Sequence, residues 1–203
     1  MGSNDIPPND VPTHFVLISN LLLQAGGTLW TICYVLLARQ SILDRSYGMP
    51  LFALSFNFAW EIIYALFVAD EPLERIVFGV WMVIDLGMVY GLIVYGKEEW
   101  SHAPLVKRHL GKIFVAMLTW CCIAHWAFAQ WWIVNEIGKQ EGKVYKGVVG
   151  PDTTELGFWT ALVAQVYLSA ASLAQLAVRR HTGGVSWSIW YVYCPLVTME
   201  LIS

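Results

Sequence analysis

Long uncharged stretches separated by short polar ones run the length of the chain, and their lengths set the architecture. Phe15–Ala38 is 24 residues without a charged side chain, and Ile113–Asn135 and Leu156–Val178 are 23 each. At 1.5 Å of rise per residue, runs of this length cross a hydrocarbon core of about 30 Å as helices. Ser46–Ala69 is interrupted once, by Glu61, and Ile76–Gly96 once, by Asp85. Val185–Met199 begins a sixth stretch, with Pro195 inside it, before Ser203 ends the chain. The runs are continuous and lack the alternation of about ten residues that membrane strands require. The pattern therefore predicts an all-α, polytopic transmembrane helix bundle, with residues 1–203 as a single transmembrane domain of five clear spans plus a partial sixth.

Composition narrows the class. Of 203 residues, 57% are hydrophobic and 13% charged, with a mean hydropathy of +0.55; a soluble domain carries roughly 25% charge. A disordered chain, a disulfide scaffold and a nucleic-acid-binding domain are excluded, the last also by a net charge of −3. The first fourteen residues hold Asp5, Asp10 and the Pro7-Pro8 pair but no Lys or Arg. That is not the basic start of a secretory signal, so the first span reads as a retained helix. Eight of the 12 basic residues follow spans one, three and five: Arg39, Arg45, Lys97, Lys107, Arg108, Lys112, Arg179 and Arg180. Arg75, Lys139, Lys143 and Lys146 fall on the other side. The positive-inside rule places the N-terminus outside or in the lumen. Cys33, Cys121, Cys122 and Cys194 lie in apolar runs without metal-site spacing and read as free buried thiols.

The candidate chemistry comes from charges inside the spans. An ionised carboxylate at mid-bilayer costs about 2.5–3.5 kcal/mol on the insertion scale, so intramembrane acids mark functional sites by default. Glu61 has Asn57 one turn before it and Tyr64 nearly one turn after. The three share a helix face, on which the amide and the phenol could satisfy the carboxyl. Burial favours the protonated form of such a group, as a general acid requires. The competing reading is an interhelical hydrogen bond that holds spans together. Asp85, with Trp81 one turn earlier, has no polar neighbour on its own face, so its partner must come from another helix. His125 reads as an interhelical donor. Asp70-Glu71-Pro72-Leu73-Glu74 reads as a solvated turn and not as a magnesium site. Neither Asp-Asp-x-x-Asp nor Asp-x-Asp-Asp occurs, which argues against diphosphate ionisation. No metal and no cofactor are expected.

Eleven Trp, nine Tyr and nine Phe complete the picture. Trp100 and the Trp131–Trp132 pair read as interfacial belt residues. Trp30, Trp60, Trp81 and Trp126 fall within spans, where aromatic faces stabilise cations most strongly because water is excluded. Asn57, Trp60, Tyr64 and Trp81 are accordingly the candidate substrate-binding residues around Glu61 and Asp85. An apolar pocket of this kind suits carbocation chemistry on a greasy substrate, and it suits plain packing equally.

Four segments carry a resemblance. They are Arg45-Ser46-Tyr47-Gly48-Met49-Pro50, Asn57-Phe58-Ala59-Trp60-Glu61-Ile62-Ile63-Tyr64, Glu98-Glu99-Trp100-Ser101-His102-Ala103-Pro104-Leu105-Val106 and Arg180-His181-Thr182-Gly183-Gly184-Val185-Ser186-Trp187-Ser188-Ile189-Trp190. In this order they resemble the fungal membrane-integral terpene cyclases of meroterpenoid and indole-diterpene biosynthesis, the pyripyropene and paxilline type. The resemblance implies a seven-helix enzyme that uses neither metal nor diphosphate. Such an enzyme protonates the terminal epoxide of a prenyl chain on an aromatic or indole unit, closes rings through a cation cascade and finishes by proton loss. It also implies that Glu61 is the proton donor, or part of a donor pair, and it leaves Asp85 as a second acid or cation stabiliser. The family continues past the equivalent of Trp190 through an arginine-containing segment into a seventh helix, and it pairs the glutamate with an aspartate late in the chain. Tyr191-Val192-Tyr193-Cys194-Pro195-Leu196 departs from that pattern, and no residue matches that aspartate. The expectation is a C-terminus that is truncated or divergent by roughly one helix of about 20 residues. The expected partners are a lipophilic epoxyprenyl aromatic or indole substrate and membrane lipid, in the endoplasmic reticulum with the N-terminus lumenal. The alternative is a small polytopic transporter or receptor that uses intramembrane acids for proton coupling.

Overall fold

A computed structural model describes residues 11–138, 144–145, 148–149 and 151–193. Among the described residues, five helices are long and apolar enough to cross a membrane. They are α1 (Thr13–Asp44), α2 (Leu51–Ile63, continued by a π-helical turn over Tyr64–Val68), α3 (Pro72–Glu99), α4 (Pro104–Val134) and α5 (Thr153–Arg179). A ribbon of two short antiparallel strands, β1 (Val144–Tyr145) and β2 (Val148–Val149), lies between α4 and α5. Residues 187–193 are again helical, at the start of the expected sixth span; its continuation through Pro195 to Met199, with Cys194, lies outside the described residues. The molecule is an all-α transmembrane bundle.

The helix ends follow local chemistry. Pro72 and Pro104 occupy first-turn positions of α3 and α4, where a missing N–H costs nothing. The Asp152 carboxylate caps α5 by accepting from the Thr154 and Glu155 amides at 3.0 and 2.9 Å. Arg45 and Arg180 end α1 and α5 in the left-handed conformation. Span two starts five residues later than the hydropathy suggests. Arg45 turns the chain out of α1, and Pro50 disfavours helix at Met49, so α2 begins at Leu51.

The helices are not equivalent. In the most apolar stretch of α2, 72% of residues are buried within the protein, against 17–28% for the other four. α2 is thus the hub, packed against α3, α4 and α5, while α1 packs on α3. This placement is what makes Glu61 tolerable, since the hub helix faces protein instead of lipid. On α3 the buried residues Asp85, Met88, Leu92 and Gly96 form one stripe at helical spacing. Gly91 belongs to it because α1 lies too close for a side chain: a Cβ there would stand 2.8 Å from the Ser41 Cβ. The exposed faces carry Leu17, Leu86, Val115, Trp120, Val163 and Leu173, as lipid contact requires. The chain is an integral membrane protein.

Candidate active site

At the centre of the bundle four polar side chains from three helices converge. Glu61 and Asp85 are both fully buried, with no solvent-accessible surface. The Asn57 amide links them: Nδ2 lies 3.1 Å from Glu61 Oε1 on its own helix and 3.3 Å from Asp85 Oδ2 on α3. The same nitrogen lies 2.5 Å from the hydroxyl of Tyr34, which α1 supplies. Glu61 Oε2 and Asp85 Oδ1 are left without a hydrogen-bond donor. No cation from Lys or Arg reaches either carboxyl among the ion pairs of the described residues.

The partner Asp85 lacked on its own face is Asn57, from the neighbouring helix, so the two acids form one site. Tyr64 does not do what its position suggests. It lies about 60° around the helix from Glu61, and its long phenol reaches α5, where its hydroxyl lies 2.7 Å from that of Thr160. The group that takes its place beside the carboxyls is Tyr34. A phenol in the middle of an uncharged span is the available signal, because a buried hydroxyl needs a partner, but nothing in the sequence tells which helix provides it.

Aromatic rings form a wall next to the pair. Trp60 stacks on Tyr64 with centroids 4.4 Å apart and planes 12° from parallel, and it meets Phe78 edge-on at 5.0 Å. Its indole N–H donates to Thr160 Oγ1 at 2.9 Å. Trp81 lies 5.6 Å from Phe78 and 6.2 Å from Tyr34, and its N–H donates to Thr31 Oγ1. Trp60 and Tyr64 are buried and Trp81 is half-buried. Trp126 is instead 49% exposed, on the lipid side, so it takes no part in this wall. His125 is an interhelical donor, its Nε2 3.2 Å from the Phe56 carbonyl. Trp132 is not a belt residue. Its N–H donates to the Asp152 carbonyl in the core while Trp131 faces out, because residues adjacent on a helix point about 100° apart. Cys33 and Cys121 are buried free thiols and Cys122 is half-buried. Asp70 and Glu71 sit in the turn that leads to Pro72, and among the described residues no three of His, Cys, Asp and Glu converge.

Three of the four segments singled out in the sequence meet at one end of the bundle, where α1, α3 and α5 finish or turn. Ser46 Oγ donates to Glu99 Oε1 at 2.5 Å, and His181 Nε2 and Arg179 Nε stand 3.1 and 3.6 Å from Glu99 Oε2. Arg179 Nη1 donates to the Tyr47 carbonyl at 2.8 Å, and its guanidinium covers the Tyr47 ring at 4.0 Å. The Trp100 N–H donates to the Tyr47 hydroxyl. Burial pushes the Tyr47 hydroxyl above the ordinary phenol range, opposed by Arg179 and by that indole. The backbones of Gly48 and Gly184 touch, and a Cβ on Gly48 would fall 2.4 Å from the Gly184 carbonyl oxygen.

Fold and site together define a polytopic α-helical membrane protein with an acid pair sealed at its centre. The particular family follows from comparison: the chain belongs to the Pyr4-like transmembrane terpene cyclases, whose pattern it matches over residues 3–194. It is 44% identical over 184 residues to the terpene cyclase ascF of Acremonium egyptiacum, covering 91% of this chain and 66% of that one. It is 34% identical to the Pyr4-family terpene cyclase mfmH of Annulohypoxylon moriforme, covering 96% and 73%, and 35% identical to the terpene cyclase macJ of Penicillium terrestre, covering 89% and 61%. The chain thus spans roughly two thirds of the length of these relatives. No solved structure matches it.

Proposed function

We propose that this protein is a terpene cyclase that opens the terminal epoxide of a prenylated aromatic or indole-diterpene precursor with a proton from the Glu61–Asp85 pair. One observation carries the reading. Two fully buried carboxyls from different helices share the Asn57 amide, no Lys or Arg among the described residues pairs with either, and each keeps one oxygen without a donor. Two ionised carboxylates so placed would repel strongly, and neither could satisfy the other's free oxygen. One proton held between them removes both problems and supplies the acid that epoxide opening needs.

The step balances without a cofactor. The carboxylic acid gives its proton to the epoxide oxygen, the C–O bond at the more substituted carbon breaks, and the nearest alkene attacks the cation. Each ring closure moves the positive charge along the chain. Loss of a proton from carbon ends the cascade, and the net reaction is an isomerisation. Trp60, Tyr64 and Trp81 are the candidate rings to stabilise the travelling cation. Asn57 orients both carboxyls, and Tyr34 can pass or receive a hydrogen bond at the Asn57–Glu61 junction. Membership of a terpene-cyclase family favours this reading over proton-coupled transport. With basic residues concentrated after spans one, three and five, the orientation proposed is a lumenal N-terminus in the endoplasmic reticulum.

The test is turnover in microsomes from a yeast that lacks the pathway, fed an epoxyfarnesyl phenol and analysed by mass spectrometry. A product of unchanged mass and new retention time is expected from the parent chain. Glu61→Gln, which keeps the shape but has no acidic proton, is expected to give none. Full turnover by that variant contradicts the assigned role.

A further inference from the structure

Once its proton has gone to a substrate, the acid pair carries two negative charges and has too few donors. The Asn57 amide nitrogen has two hydrogens but three oxygens within reach: the Tyr34 hydroxyl at 2.5 Å, Glu61 Oε1 at 3.1 Å and Asp85 Oδ2 at 3.3 Å. The phenol is the nearest of the three, so one amide hydrogen is committed to it and one is left for two carboxylates. Glu61 Oε2 and Asp85 Oδ1 have no donor at all. A phenol oxygen that accepts a hydrogen bond keeps its own hydrogen to give, and the unfilled acceptors of this centre are those two oxygens.

The phenol is also held in place. Tyr34 is 2% exposed, and its ring meets Trp30 edge-on at 5.0 Å and Trp81 at 6.2 Å. Trp81 is fixed in turn by donating to Thr31 Oγ1, which itself donates to the Gly27 carbonyl, both at 2.9 Å. With the ring fixed, the hydroxyl hydrogen can still turn about its C–O bond without any movement of the helix. We propose that Tyr34 is a positioning residue for the reaction: seated on the Asn57 amide, it gives its hydrogen bond to the Glu61–Asp85 pair in its charged form and steadies the pair until a proton is regained. A hydrogen bond to an ionised group is about twice as strong as one between neutral groups, so the contact is worth most when the proton has left. The assignment rests on the reading of the pair as the acid.

The test follows the carboxylic-acid C=O band of the full chain in detergent against pH by infrared difference spectroscopy, beside turnover of the epoxyfarnesyl phenol. Tyr34→Phe keeps the ring and removes the donor, so the charged form of the pair loses support. Its band is expected to bleach at a pH about one unit or more above the parent's. Its kcat should fall about tenfold or more with KM within twofold, because the lost interaction forms only as charge develops. Tyr47→Phe, at the buried tyrosine of the other cluster, should leave band and kcat unchanged. Where Tyr34→Phe does not elute as the parent does in gel filtration, 3-fluorotyrosine introduced at position 34 carries the test. It is a stronger donor in nearly the same shape and should move the bleaching pH down.

A Tyr34→Phe protein with a lower thermal midpoint but an unmoved band and kcat overturns the assignment, and so does a raised KM at unchanged kcat. Cyclised product that depends on Glu61, with a band indifferent to Tyr34, overturns the role of Tyr34 and leaves the cyclase reading intact. A band that moves as expected in a chain that forms no cyclised product supports the contact between Tyr34 and the pair and overturns that reading.

Discussion

Two groups of carboxylates, one partly buried where helices end and one fully buried at the centre, differ in how they are compensated. Glu99, where the helices end, is held by a serine hydroxyl, a histidine and an arginine, and the arginine is fixed in turn by the Tyr47 carbonyl and ring. Glu61 and Asp85, in the centre, share one amide that Tyr34 also contacts, have no Lys or Arg ion pair among the described residues, and keep an oxygen apiece without a donor. The first arrangement stabilises charge and holds three chain segments together. The second leaves charge uncompensated at a point where a proton would relieve it. Burial of an acid, as at the helix cap Asp152, is therefore not by itself the signal; Glu61 and Asp85 stand apart because each keeps a buried oxygen without a donor.

The contrast can be broken in order of expected effect. Glu61→Gln should lower turnover by about 10²–10⁴-fold, the usual worth of a positioned general acid, while the protein stays in the membrane at parental levels, as measured by product formation and detergent gel filtration. Asp85→Asn should lose activity to a similar extent. The double variant should be little worse than either single one, because the pair acts as a unit. An independent Asp85 would instead multiply the two losses.

At the other cluster, Glu99→Gln should cost about 1–3 kcal/mol of stability by leaving Arg179 with one partner fewer. The thermal midpoint in detergent should fall while turnover per folded molecule is retained. If turnover collapsed at unchanged stability, the division of roles would be wrong. Gly48→Ala should cost about 1–3 kcal/mol through overpacking against the Gly184 carbonyl. Thr160→Val, which takes the hydroxyl from Trp60 and Tyr64, should cost about 1–3 kcal/mol. Its main consequence should be a changed ratio of cyclised products, which Thr160→Ser restores.

Much of this was legible in the hydropathy. The spans, the all-helical class and the two intramembrane acids follow from runs long enough to cross and from charges that have no reason to be in them. What was not legible is pairing between helices. Asp85 announces that it needs a partner but not that Asn57 provides it, since periodicity fixes faces on one helix and says nothing of which helices face each other. For the same reason the spacing that sets Tyr64 one turn from Glu61 does not show that it reaches across to Thr160, and Tyr34 reads as one more residue of an apolar run. The segments around Ser46, Glu99 and His181 stood out individually, and only the fold shows them to be one cluster. Trp132 shows the limit of composition: a tryptophan near a span end belongs to the belt only if its side of the helix faces lipid.

The central claim is that the Glu61–Asp85 pair holds the proton used in catalysis. Infrared difference spectroscopy of the purified chain in detergent at neutral pH tests it directly. A carboxylic-acid C=O band should be present, shift in Glu61→Gln or Asp85→Asn as the remaining carboxyl takes the proton, disappear when both are substituted, and persist unshifted in Glu99→Gln. A spectrum without that band in the parent chain, or one in which the band is unchanged by either single substitution and survives the double one, would contradict the account.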